Sequence, residues 1–336
     1  MKVLITGAAG NLGKVITQHL ISRNIPVIGI DTNNHMDHSS DNFKYYKCSI
    51  TEEQKMNNIF EKEQPSNVIH LAATFNRVRN RKTEMEIDVG GSENVLKISN
   101  KIPSVKQLIY SSSAAAYGGH KDNPLWLNED HELRPGNYRY GIIKKMVESI
   151  YFGANTRKDL NIVSLRICSV VGPSFNKKRC AISILINSKY LLEQWKQNKI
   201  QLLHEDDFNH LIFNILKDGK IHGKYNLAPD SFSQINELVQ EKKYIKIPLS
   251  MILIILWVLW YLRILNLRPA SLKQSIYPIV LSPTKLISTY FYKFKYSSEE
   301  AFQATLKYCK TQDNKRFNSI PSSSPKSYQQ HVRPEP

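Results

Sequence analysis

An α/β fold with a doubly wound parallel sheet and a smaller, discontinuous C-terminal lobe is predicted by three features of this 336-residue chain. Strand-length apolar runs alternate with helical periodicity from residue 2 to about residue 167. The first run enters a glycine-rich turn that opens directly into a helix. The second run ends in an acid, Asp31.

Lys2-Val-Leu-Ile-Thr6 is apolar and rich in β-branched residues, enough for one buried strand. The turn Thr6-Gly7-Ala8-Ala9-Gly10-Asn11-Leu12-Gly13 follows, then a helix from Lys14 to Ser22, and Pro26-Val-Ile-Gly-Ile30 before Asp31. Strand, glycine turn, helix, strand and acid make a dinucleotide-binding βαβ unit of the Rossmann type. Gly7 allows the sharp turn, Gly10 lets backbone approach a pyrophosphate, and Gly13 lets the helix pack close to the sheet. The N-terminus of the helix that follows offers unpaired N–H groups and a partial positive charge to the phosphates. Asp31, eighteen residues after Gly13, suits a ribose 2′-hydroxyl and repels a 2′-phosphate, and Thr32-Asn33-Asn34 brings no Arg to offset it. The expected cofactor is therefore NAD and not NADP.

The polar stretch His35–Asn42 reads as a loop at the cofactor edge. Phe43–Cys48 is a third strand and Thr51-Glu-Glu starts a helix. Asn67-Val-Ile-His-Leu71-Ala72-Ala73 is a fourth strand ending in small residues where a cofactor can pass. Glu84–Asn100 is helical, Val105–Tyr110 a fifth strand, Tyr138–Phe152 a long helix, and Asn161–Ile167 a strand that closes the sheet. The boundaries expected are an NAD-binding domain over 1–170, its sheet open to completion from 200–230, a substrate lobe over 171–311, and a disordered tail over 312–336.

Chemistry belongs at the carboxyl ends of the strands. Tyr140-Gly-Ile-Ile-Lys144 places a phenol and an ammonium on one helix face. A nearby cation favours phenolate and should draw the tyrosine pKa toward working pH. Such a phenol exchanges a proton with an alcohol while hydride leaves or joins the carbon. Tyr117-Gly-Gly-His-Lys121 has the same spacing, but its glycines deny it a rigid helix. A hydroxyl from Ser111-Ser-Ser113 would hold the substrate oxygen.

These pieces resemble an extended short-chain dehydrogenase/reductase of the NAD-dependent epimerase/dehydratase type. The resemblance rests on TGAAGNLG, Asp31, VIHLAA, GGSENVL, SSSAAAYG, YGIIK with Glu148, LRICSVVGP, HEDDF and YNLAPD, with PIVLSPTKL and SSEEAF further on. It implies that Ser113 orients the substrate, that Tyr140 is the acid/base, and that Lys144 holds Tyr140 and the nicotinamide ribose. It also implies an NAD site over Gly7, Gly10, Asn11, Leu12, Gly13, Asp31, Leu71, Ala72, Ala73, Tyr140 and Lys144. Six residues at four places depart from the pattern. Ala114-Ala115 stands where dehydrating members carry an Asp-Glu pair, which argues against loss of water. Ile200-Gln201 stands where members acting on nucleotide sugars carry Arg-Asp. Ser49 replaces an adenine-holding acid, and Asp88 replaces an Asn.

The net charge of +17 is lopsided: residues 1–150 hold 19 Lys+Arg against 16 Asp+Glu (net +3), and residues 151–336 hold 27 against 13 (net +14). The bases are scattered and no nucleic-acid module is present, so no nucleic-acid partner is expected. Cys48, Cys168, Cys180 and Cys309 lie far apart and read as reduced thiols. His204, Asp206 and His210 match no standard ligand set, and no metal is expected. Asp207 reads as the cap of the helix that follows it.

The stretch Ile247–Leu267 is the most apolar, and its core has Lys242, Lys243 and Lys246 before it and Arg263 and Arg268 after it. Its twelve-residue core, Met251–Leu262, falls short of the ~20 residues needed to span a bilayer. A buried or subunit-interface helix is the first reading, with a homodimer an open consequence. A monotopic membrane anchor is the second. The expected function is an NAD-dependent oxidoreductase or epimerase acting on a secondary alcohol or ketone of a small, sugar-like substrate in the cytoplasm. A dehydrogenase of a steroid-like or lipid alcohol at a membrane surface stays open, as does a non-catalytic NAD sensor.

Overall fold

Seven parallel strands form the central sheet of the computed structural model, which describes residues 1–33, 40–75, 78–174, 182–265 and 268–318, with side chains to residue 311. They are β1 (Val3–Thr6), β2 (Val27–Asp31), β3 (Phe43–Lys47), β4 (Asn67–His70), β5 (Gln107–Ser113), β6 (Asn161–Ile167) and β7 (Gly223–Leu227). Their spatial order is β3-β2-β1-β4-β5-β6-β7. Thr6 is paired with Ile30 of β2 on one side and with His70 of β4 on the other. The order of strands therefore reverses between β1 and β4, and that crevice is where ligands of open α/β sheets bind.

The strands are apolar on both faces because both are covered. On one side Val3 and Ile5 pack with helix α1 (Asn11–Ile21) through Val15, Ile16 and Leu20, and with the helix over Glu205–Asp218 through Phe208 and Leu211. On the other, Leu4 and Ile28 meet α2 (Glu53–Glu63), α3 (Gly91–Lys101) and α4 (Arg139–Gly153) through Phe60, Leu96 and Val147.

The sheet does not close at β6. Tyr225, Asn226 and Leu227 add β7 beside Leu165, Arg166 and Ile167. Asn226 explains why this late segment returns: its side-chain amide donates to the carbonyl of Leu127 and its oxygen bonds the Tyr117 hydroxyl at 2.9 Å, both buried. Three two-stranded pieces build the C-terminal part: Leu202–His204 with Ser169–Val171, Ser233–Gln234 with Lys199–Ile200, and Lys243–Ile245 with Tyr190–Leu192.

Three further expectations need correction. Asp207 does not cap the Glu205–Asp218 helix; His204 does, its Nδ1 accepting from the Asp206 N–H. Asp207 is instead fully buried and accepts from the Tyr292 hydroxyl and the backbone N–H groups of Lys295 and Tyr296. The chain over 312–318 continues the helix Ser298–Asn318, and only 319–336 of the expected tail lies outside the described residues. Most of the His35–Asn42 loop and Cys180 also lie outside them, while Cys48, Cys168 and Cys309 form no disulfide among the described residues.

The third concerns the apolar stretch. It forms α5 (Leu249–Tyr261), none of whose residues is buried, so it is not a core helix of this chain. Among the described residues no helix is long and apolar enough to cross a membrane.

Candidate active site

The glycine turn sits at the reversal of strand order. Gly7 has φ +72°, a left-handed conformation that favours glycine, and a Cβ there would stand 2.7 Å from the Ala72 nitrogen. At Gly13 a Cβ would overlap the Gly7 and Ala8 carbonyl oxygens. Leu71 and Ala72 thus run directly against the turn, as expected for a cofactor passage. α1 begins after Gly10 with no side-chain cap and no acid in its first turn, which leaves its positive end suited to a pyrophosphate. At the end of β2 the Asp31 carboxylate accepts from the Ala9 N–H at 3.0 Å, so it stands at the lip of the turn. The residues present fit NAD: glycines where phosphate approaches, a helix N-terminus, and a carboxylate for the ribose hydroxyl.

Beside this crevice the fold brings Ser113, Tyr140 and Lys144 together. Ser113 ends β5, where its hydroxyl accepts from the Ala115 N–H and stands near enough to the Tyr140 phenol to lower its pKa. Tyr140 and Lys144 lie one turn apart on α4, with the Lys144 Nζ 5.4 Å from the Tyr140 ring centroid. Lys144 is buried and donates to the Ser111 carbonyl at 2.5 Å. It cannot wander, because a rigid helix and a strand end hold it. Phe75 meets the Tyr140 ring edge-on at 5.0 Å, and Tyr138 lies 6.0 Å away. These two aromatics carry no signal in the sequence; only the tertiary fold places them.

The electrostatics depart from expectation. Burial pushes the Tyr140 phenol above the ordinary range, and the Tyr138 and Asp88 charges add to this, while the Ser113 hydroxyl pulls it down. Lys144 is itself lowered to about 8 by burial, with Asp88 and Glu148 pulling it back up. The phenol of the protein alone is therefore tight, because the environment that positions it also desolvates it. Asp88 lies on a π turn, Glu86–Gly90, inserted between Arg81–Met85 and α3. Its carboxylate accepts from the Thr74 N–H and hydroxyl, both at 2.7 Å, which clamps the segment after β4.

His70, at the end of β4, is buried between the Thr6 hydroxyl at 2.6 Å and the Ser92 hydroxyl at 2.9 Å. Burial, with Lys144 second, lowers its pKa from 6.5 to about 3. Below about pH 6.5 the unfolded chain takes up a proton that the folded one refuses, so stability is lost as pH falls from 6.5 toward 3. The slope is up to about 1.4 kcal/mol per pH unit. Urea unfolding across that range should show it, and His70→Asn should flatten it.

The family model described as "NAD dependent epimerase/dehydratase family" matches residues 3–228, which take in β1 to β7, the glycine turn, Ser113, Tyr140 and Lys144. The chain belongs to the NAD dependent epimerase/dehydratase family. A UDP-glucose 4-epimerase of Lactobacillus helveticus is 31% identical over 52% of this chain and 53% of its own length. A dTDP-D-glucose 4,6-dehydratase of Dictyostelium discoideum is 27% identical over 73% and 62%. The chain thus spans between half and two thirds of these relatives. Among solved structures, a UDP-glucose 4-epimerase of Thermotoga maritima with UDP-glucose superimposes with a TM-score of 0.74 at 24% identity, covering 93% of this chain and 99% of that one. The Bordetella bronchiseptica enzyme WbmG in complex with NAD gives 0.72 at 20%, covering 93% and 94%. These likenesses establish the α/β fold, and membership of the family establishes NAD dependence.

Two departures from the family pattern are structural in this chain. Gln201 is buried and spent on backbone: it donates to the Pro229 and Leu281 carbonyls and accepts from the Leu281 N–H at 2.6 Å. It therefore welds the C-terminal pieces together. Ala114 and Ala115 form the tight turn after Ser113 and bring no titratable group to it.

Proposed function

We propose that this protein is an epimerase or dehydrogenase acting on a secondary alcohol or ketone of a sugar-like substrate, with residues 1–170 and β7 holding NAD and residues 171–311 covering the substrate. The observation that carries the reading is the convergence of Ser113, at the end of β5, with Tyr140 and Lys144, which lie one helical turn apart on α4 with the ammonium 5.4 Å from the phenol ring centroid. NAD, when bound, supplies the hydride acceptor. Gly7, Gly10 and Gly13, with the N–H groups of Asn11 and Leu12, would hold its pyrophosphate, Asp31 its ribose, and Leu71–Ala73 would flank its path.

Ser113 holds the substrate oxygen and Tyr140 takes its proton as general base, returning it in the reverse direction. Lys144, with its ammonium 5.4 Å from the phenol ring, stands where it favours the phenolate as the proton leaves. Epimerisation asks for this proton exchange run forward and back on one oxygen, together with room for the ketone to turn so that the hydride returns to its other face. Elimination of water needs a further acid and base, and Ala114-Ala115 supply neither. Ile200 in place of the cation, beside a buried and backbone-bound Gln201, points away from the usual way of gripping a nucleotide sugar's diphosphate.

The experiment is to purify the protein, denature it and identify the dinucleotide released. Tightly held NAD is expected if the enzyme is an epimerase that regenerates its cofactor within one cycle. A site that loads and unloads NAD freely would instead support the dehydrogenase. Failure to bind NAD at all would overturn the proposal.

A further inference from the structure

The helix α5 is apolar and uncovered. Ile254, Tyr261 and Ile264 are 63%, 68% and 64% exposed, and Met251, Ile255, Trp257, Leu262 and Leu265 extend the same surface. So large an uncovered apolar surface marks an interaction site. Leaving it in water is costly, yet the chain holds it firmly in place. Arg79 donates to the carbonyls of Trp260 at 3.0 Å and Leu265 at 3.2 Å and lies over the Trp260 ring. Just past the helix, the buried Arg268 pairs with Glu84, which also pairs with Arg139 at the start of α4.

We propose that α5 docks this protein on an anionic lipid surface as a monotopic anchor. Between Glu241 and Glu299 the chain carries nine Lys or Arg and no Asp or Glu. Lys243 and Lys246 precede the helix and Arg263 follows it, all three exposed. A negatively charged headgroup layer complements that charge, and its acyl region takes the apolar face. The Trp257 and Tyr261 rings stack at 5.6 Å on the exposed side, the residue types that settle at a bilayer's interface. Thirteen residues reach only about 20 Å, too short for the ~30 Å hydrocarbon core, so the helix lies in the surface and does not cross it. A second copy is the weaker occupant, since a two-fold contact through α5 would bring the same bases of both chains together with no acid between them.

The test is flotation of the full chain with vesicles of phosphatidylglycerol and phosphatidylcholine. The wild type should float with them, less with phosphatidylcholine alone, and less as salt rises. Ile254→Glu/Trp257→Glu, both on the outward face, should lower partitioning at least about tenfold while NAD binding and circular dichroism stay unchanged. Lys243→Glu/Lys246→Glu should weaken only the phosphatidylglycerol-dependent part. Flotation that survives the first pair of substitutions overturns the proposal. So does a wild type that fails to float, and if it then sediments as a dimer split by that pair, α5 belongs to a second copy. NAD binding is read separately, so the proposed reaction can fail while the anchor stands.

Discussion

Tyr140→Phe is expected to cut turnover about 10²- to 10⁴-fold while leaving NAD affinity unchanged. The ring keeps its packing, since the edge-on contact with Phe75 at 5.0 Å involves no hydroxyl. What is lost is the phenol beside Ser113, the group proposed to exchange a proton with an oxygen held there. Steady-state turnover alongside calorimetric NAD binding separates the two effects. Equal turnover in both proteins would mean that the phenol is not the acid/base, as the sensor reading requires.

Arg166→Met should destabilise the fold by about 3–5 kcal/mol, seen as a lower urea midpoint. Arg166 and Glu148 are each 2% exposed, and Arg166 reaches Glu148 with Nε at 3.2 Å and Nη2 at 2.9 Å. Its Nη1 also donates to the Tyr117 hydroxyl at 2.7 Å and to the Glu129 carbonyl at 2.9 Å. Methionine fills the stem's volume but strands a buried carboxylate whose remaining partner is the Ser112 hydroxyl. Because the cost is the orphaned charge, the double variant Arg166→Met/Glu148→Gln should recover much of it.

Much of this site could be read along the chain because its parts are local. A glycine turn after a strand, an acid at the end of the next strand and a four-residue phenol–ammonium spacing are all short-range patterns, and the fold places them as those patterns imply. What escaped is long-range. Asp207 looked like a helix cap until Tyr292, Lys295 and Tyr296, some ninety residues on, claimed its carboxylate. Glu84–Asn100 read as one helix, and nothing in its periodicity marks the π turn that aims Asp88 at Thr74. The apolar pattern of α5 gave its helix correctly but not its surroundings, since hydrophobicity says a face wants cover without saying from what. The phenol's pKa ran against expectation for the same reason: spacing shows the nearby ammonium, whereas desolvation depends on everything packed around it.

The central claim is that Tyr140 lies where a bound nicotinamide's charge reaches it. Ultraviolet titration of the phenol, taken as wild type minus Tyr140→Phe, measures this with oxidised and then with reduced cofactor. The oxidised ring is positive and the reduced ring neutral, so Tyr140 should ionise at a lower pH with NAD⁺ than with NADH. The same midpoint with both would place the cofactor's reactive ring away from Tyr140 and contradict the account.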